Sequence, residues 1–138
     1  MKLLQLELSN WAVYKTPQVV QFDTTTDKPV ALINGDNDKG KTSFFYAIRY
    51  CLFGSKGLQS HPKIGYRSLS EWPNFYTARD GDGEISVELK IQFDDGSVKR
   101  IQRKRKFLQT PTGEEITLEQ KDQLTIFDDN EPLNIGKE

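Results

Sequence analysis

Val30-Ala31-Leu32-Ile33-Asn34-Gly35-Asp36-Asn37-Asp38-Lys39-Gly40-Lys41-Thr42-Ser43 is the stretch on which the fold turns. The apolar run Val30–Ile33 stops at Asn34-Gly35, which predicts a strand buried on both faces. Gly35 to Thr42 fits the spacing G-x-x-x-x-G-K-[ST]. Glycines at the two ends let successive N–H groups curl around a phosphate. Residues 41–53 then carry Phe44, Ala47, Ile48, Cys51 and Leu52 at helical spacing, and Gly54 is a natural stop. Strand, loop and helix follow one another as a phosphate-binding loop requires. The helix dipole would point at the same anion. In this pattern Lys41 reaches the β- and γ-phosphates and the Thr42 hydroxyl coordinates Mg²⁺.

Upstream, Leu4, Leu6 and Leu8 alternate with Gln5 and Glu7, predicting a half-buried strand. Val19, Val20 and Phe22 predict a second, after a turn at Lys15-Thr16-Pro17. Downstream, residues 55–83 read mostly as loop. Ile85, Val87, Leu89, Ile91 and Phe93 alternate with Ser86, Glu88, Lys90 and Gln92, the clearest strand pattern in the chain. Asp94-Asp95-Gly96 predicts a hairpin turn, with residues 97–107 returning as the partner strand. Leu118 to Phe127 is expected to hold one more strand, and the tail follows Pro132.

The chain has 138 residues and 15.9 kDa, the size of one domain. Its 36% hydrophobic and 11% aromatic content can build a core. The mean hydropathy of −0.65 and the lack of a long apolar run predict no membrane span, and the N-terminus does not read as a signal peptide. One cysteine, Cys51, excludes an internal disulfide and a Cys-based zinc site. A cytoplasmic protein is the expectation.

Net charge is −1, unevenly spread. Residues 1–69 hold 9 Lys+Arg against 5 Asp+Glu, and residues 70–138 hold 10 against 15. Ser97–Lys106 carries six basic residues and no acid. Such a strand suits a DNA backbone or, more plainly, a charged edge in solvent. Its basic residues fall on both faces, which predicts exposure.

The ordered set of a strand, Ser9-Asn10-Trp11 with Tyr14, a second strand, the loop Gly-x-Asn-x-x-Gly-Lys-Thr and a helix ending in Cys51-Leu52-Phe53-Gly54 resembles the N-terminal half of an SMC, RecF or RecN-type ATPase head. These are ABC-class ATPases of DNA maintenance, and the DndD-type ATPases of DNA-phosphorothioation defence look similar. The hairpin Val87–Phe93 with Val98–Arg103 is similar to the antiparallel arm of such heads. The resemblance covers most of residues 1–107. It implies an α/β P-loop NTPase lobe with an antiparallel β subdomain, arranged as 1–54, a loop-rich 55–83, an arm 84–130 and a tail 131–138. It implies ATP and Mg²⁺ as cofactors. Asn37, Asp38, Lys39, Gly40, Lys41, Thr42 and Ser43 fall on phosphate or magnesium positions of the loop, and Asn10 falls near the nucleotide. The implied partners are DNA through the complete protein, the C-terminal half of its own head, and a second head in a head-to-head dimer.

Two departures stand out. Asp38 occupies a position that is usually glycine or another small residue, and with Asp36 it brings acid beside a phosphate site unless both side chains face solvent. The other catalytic parts do not show. There is no Leu-Ser-Gly-Gly signature, no glutamine can be placed as that of a Q-loop, and no catalytic residue is assigned. Leu124–Asp129 imitates a Walker B strand, but only four residues precede the acid and Asn130-Glu131-Pro132 follows, so a strand ending in a turn describes it better. Asp80-Gly81-Asp82-Gly83 lacks the terminal Glu of a calcium loop. The expected chain is an ATP-binding half-head that by itself turns over negligibly. A self-contained small phosphotransferase using Asp128 or Asp129, and a non-enzymatic DNA- or protein-binding domain using hairpin 97–106, are the alternatives.

Overall fold

The computed structural model describes residues 1–36, 40–58, 69, 72–81, 83–109, 116–128 and 130–133. The elements are β1 (Lys2–Ser9), β2 (Gln18–Gln21), α1 (Lys41–Phe53), a 3-10 turn (Gly54–Leu58), α2 (Phe75–Asp80), β3 (Gly83–Gln92), β4 (Val98–Gln109), β5 (Ile116–Leu118), β6 (Gln123–Asp128) and β7 (Glu131–Pro132). The strands form one sheet in the order β2-β1-β3-β4-β6-β7, with β5 also on β4. Each of these pairings is antiparallel.

The sheet is built on the alternation in β3. Ile85, Val87, Leu89 and Ile91 face α1 and are buried, as are Leu6 and Leu8 of β1 and Phe107 of β4. Phe44, Ala47, Tyr50 and Cys51 form the buried stripe of α1. Each large side chain of this kind contributes about 1.5–3 kcal/mol when fully buried. β1 pairs directly with β3, so the first strand of the chain and the hairpin belong to a single sheet.

Four sequence expectations change here. Val30–Ile33 is not a buried strand. It makes no ladder, and Val30 and Leu32 are 80% and 87% exposed. A strand buried on both faces needs a neighbour on each side, and the antiparallel sheet offers it neither. Residues 55–83, expected to be loop, contain the 3-10 turn and α2. Asn74 starts α2, its Oδ1 accepting from the N–H groups of Tyr76 and Thr77 at 3.1 and 3.3 Å. The alternation in β1 is interrupted by a bulge between Leu3 and Gln5, so Leu3 rather than Leu4 joins the core. The charges on both faces of β4 do not mean exposure, because the side chains of Arg103 and Arg105 are only 13% and 14% exposed.

Asp122 is the reason for this last result. Its two oxygens accept from Arg103 Nη1 at 3.0 Å and Arg105 Nε at 2.6 Å, and Oδ1 also accepts from the Tyr50 hydroxyl at 2.7 Å. Arg103 Nε donates to the Cys51 carbonyl at 3.1 Å, placing a cation at the C-terminal end of α1, where the helix dipole favours it. The helix is thereby fastened to β4 and to the segment entering β6. Burial, with the Asp122 bond second, pushes the Tyr50 hydroxyl far above its usual range.

Candidate functional site

The start of α1 is the candidate site. Gly40 precedes the helix with φ +94°, in the left-handed region that glycine tolerates. No side chain caps this end and no acid lies in its first turn. The first N–H groups of a helix have no partner inside it, so such an end favours an anion. Lys41 donates from Nζ to the Gly35 carbonyl, closing the loop across its mouth. Thr42 is exposed and Ser43 half-buried at the same end. Asp36 is exposed, as a phosphate site requires of it. Asn37, Asp38 and Lys39 lie outside the described residues.

Residues 10–15 buttress this loop. Asn10 and Ala12 have φ +54° and +48°, a conformation non-glycine residues adopt only when held there. The restraints are visible. Trp11 and Tyr14 exchange backbone hydrogen bonds at 2.9 and 2.8 Å, and the Ala12 N–H donates to Trp72 O at 2.6 Å. Asn74, 3% exposed, donates from Nδ2 to Ala12 O at 2.6 Å. The Asn10 side chain donates to Glu84 O at 2.9 Å and accepts from the Thr77 hydroxyl at 2.8 Å. Expected beside the nucleotide, Asn10 is in this structure the hub that joins the loop to α2 and β3.

The buttress touches the candidate site at two carbonyls. Trp11 Nε1 donates to Ser43 O at 2.8 Å, and the Tyr14 hydroxyl donates to Gly40 O at 3.2 Å. Trp11 is fully buried, stacked between Tyr50 and Trp72 with ring centroids at 5.2 and 4.9 Å. A Cβ on Gly40 would lie 2.7 Å from Val13 Cγ2 and 2.8 Å from the Tyr14 hydroxyl oxygen. Glycine is therefore required both for its φ and for its lack of a side chain. The sequence shows Trp11 and Tyr14 only as aromatics after a strand, and their link to residues 40–43 depends on the tertiary fold.

A cleft of about 820 Å³ lies beside the site, lined by Leu3, Phe22, Leu32, Ile33, Phe44 and Ile48 among others. Its lining is mixed, with Lys2, Thr24, Thr25, Thr26 and Gln92 beside the apolar side chains, and it does not include Lys41 or Thr42. Phe45, 54% exposed, and Leu32 are exposed apolar side chains of its lining, and Val30 is an exposed apolar side chain of the same segment as Leu32.

Most of the cations of the basic strand are in ion pairs. Lys99 pairs with Asp128, Arg100 with Glu88, Arg103 and Arg105 with Asp122, and Lys104 with Glu84. Lys106 is exposed. Asp128 is thus bonded to Lys99 at 3.0 Å, and Asp129 lies outside the described residues. Among the described residues no group of three His, Cys, Asp or Glu could hold a metal, and no helix is long and apolar enough to cross a membrane.

The model of one protein family, described as an AAA domain, matches residues 5–135. A curated relative from Aquifex aeolicus (strain VF5), a probable DNA double-strand break repair Rad50 ATPase, is 32% identical over 103 residues. That alignment covers 75% of this chain and 9% of the relative, so the chain spans a small part of the length of the protein it matches.

Proposed function

Because the chain belongs to the AAA domain family whose model matches its residues 5–135, we propose that it is the ATP-binding N-terminal part of a DNA-processing ATPase head, within a single domain 1–138. The type is SMC/RecN-like or DndD-like, and the process is DNA repair, recombination or phosphorothioation-linked defence. One observation carries the reading. The uncapped start of α1, free of acid, meets a left-handed Gly40 and a lysine folded across the loop mouth.

The residues present fit Mg·ATP. The N–H groups at the start of α1 would hold phosphate oxygens, with Lys39 and the backbone N–H groups of Asn37 and Asp38 as the loop's share of the site. Lys41, now on the Gly35 carbonyl, would hold the β- and γ-phosphates, and Thr42 would offer its exposed hydroxyl to Mg²⁺, with Ser43 beside it. Bound Mg²⁺ neutralises charge on the phosphates. Asn10 serves by holding the buttress. Hydrolysis also needs a positioned water and a residue to orient it. In this reading the C-terminal half of the head and a second head supply them. The exposed apolar side chains Val30, Leu32 and Phe45 mark where that half packs, giving Val30–Ile33 the neighbours that a buried strand needs. DNA is engaged by the complete protein.

The alternatives have less support. Five of the six basic side chains of 97–106 are in ion pairs, with four carboxylates between them, so fewer of these cations are free to meet a DNA backbone. Asp128, the carboxylate a small phosphotransferase would use, is committed to Lys99.

Calorimetric titration of Mg·ATP into the wild type and Lys41→Ala, with phosphate release followed on the same samples, tests the proposal. Binding that depends on Lys41, without release, supports it. Turnover well above background that is abolished by Lys41→Ala would sink the half-head reading, and binding that ignores Lys41 would sink the nucleotide site.

A further inference from the structure

We infer that Tyr14 is a positioning residue of the phosphate loop, acting on a bound polyphosphate through the Gly40 carbonyl rather than by touching the ligand. This rests on the nucleotide reading above. The Tyr14 hydroxyl donates to Gly40 O at 3.2 Å, and the same oxygen accepts from Phe44 N at 2.9 Å, the first hydrogen bond of α1. The Gly40 carbonyl and the Lys41 N–H belong to one planar peptide unit and point in opposite directions. Fixing the carbonyl from behind therefore fixes the direction of an N–H that faces the anion. The bond from the Phe44 N–H already aims this carbonyl along α1, and because a glycine at φ +94° has little conformational preference of its own, the Tyr14 hydroxyl adds a restraint from outside the helix.

The anchor behind the hydroxyl is rigid. Residues 11 and 14 exchange two backbone hydrogen bonds, Ala12 is held from both sides by Trp72 O and Asn74 Nδ2, and Trp11 is locked in an aromatic stack while bonding Ser43 O. Val13 and Tyr14 bear on Gly40 so closely that even a methyl group would not fit. A phenol is protonated at neutral pH, and burial raises the Tyr14 pKa further, so the hydroxyl is a donor there. The role differs from that of Lys41, which contacts phosphate directly.

The test is titration of Mg·ATP and of inorganic tripolyphosphate with Mg²⁺ into the wild type, Tyr14→Phe and Lys41→Ala, with thermal unfolding of each protein. Tyr14→Phe keeps the ring and removes only the hydroxyl. The expected result is a loss of affinity of about five- to tenfold, equal for both ligands, with Tm lowered by no more than about 5 °C, the cost of one part-exposed hydrogen bond. Unchanged affinity in Tyr14→Phe beside lost binding in Lys41→Ala would overturn the positioning role and leave the nucleotide reading standing. Weakened ATP binding with unchanged tripolyphosphate binding would also overturn it, because the hydroxyl would then be serving the nucleoside. A wild type that binds neither ligand refutes the nucleotide reading, and the role of Tyr14 with it.

Discussion

Replacing Asp122 by alanine should be among the most damaging single changes in the sheet. The Asp122 side chain is 10% exposed, and those of Arg103 and Arg105 are 13% and 14% exposed. Removing the carboxylate leaves two guanidinium groups facing each other in a largely dry site and takes away the acceptor for the Tyr50 hydroxyl. Breaking a buried pair in this way costs about 3–5 kcal/mol. An unfolding entropy of about 2.1 cal/mol/K per residue, applied to 138 residues, gives about 290 cal/mol/K. Each kcal/mol then lowers Tm by about 3.5 °C, so the variant should melt about 10–17 °C below the wild type. The residual exposure of the three side chains favours the lower end. Thermal unfolding by circular dichroism measures it directly. A second variant, Arg103→Leu with Arg105→Met, Asp122→Leu and Tyr50→Phe, should recover most of the loss, because an apolar replacement of a buried ion cluster is often neutral or better once no hydroxyl is left without its acceptor. A drop of under about 3 °C in Asp122→Ala would show that water reaches the arginines and that the cluster does not fasten α1 to the sheet.

Gly40→Ala should abolish Mg·ATP binding and cost about 1–3 kcal/mol of stability, since it combines φ +94° with a 2.7 Å approach to Val13; wild-type affinity in calorimetry would contradict the close packing. Gly57→Ala, whose Cβ would sit 2.2 Å from the Arg49 carbonyl oxygen, should destabilise by at least about 2 kcal/mol, read as a lower urea midpoint at unchanged slope. Stability should also fall in alkali. Burial pushes the Cys51 thiol up to about 12 and raises Tyr50 as well, so both stay neutral in the fold while the unfolded chain ionises first. Their contribution is intact below about pH 8 and is lost as pH rises toward 12, with about 1 kcal/mol from Cys51 by pH 10. Urea melts at pH 8 and pH 10 should separate accordingly, with a smaller gap in Cys51→Ala; equal midpoints would refute the account.

Local patterns in the sequence carried much of the fold. The helix was legible over 41–53 because glycines flank a stripe at helical spacing, and α1 has those bounds. The hairpin was legible because its alternation is strict and Asp94-Asp95-Gly96 closes it. There the Phe93 N–H bonds Ser97 O at 2.8 Å and Gly96 takes φ +86°. Val30–Ile33 misled because an apolar run records what a segment is suited to bury, while burial itself needs neighbours. The two arginines of β4 misled for a related reason. Alternation reports which face a side chain occupies, but only the position of Asp122, far along the chain from α1, makes the inner face tolerable for a cation. The buttress of 10–15 was invisible for the same cause, since it works through backbone carbonyls brought close by the fold.

The aromatic stack has an optical consequence. The chain contains only two tryptophans, and both stand in that one stack, 4.9 Å apart, with Trp11 bonded to the carbonyl of Ser43. Their emission and their near-ultraviolet dichroism therefore report from a single place, the back wall of the loop. No label need be introduced to watch that loop. A ligand seated at the start of α1 would be read by the protein's own chromophores, while events at the distant edge strands would leave the signal unchanged.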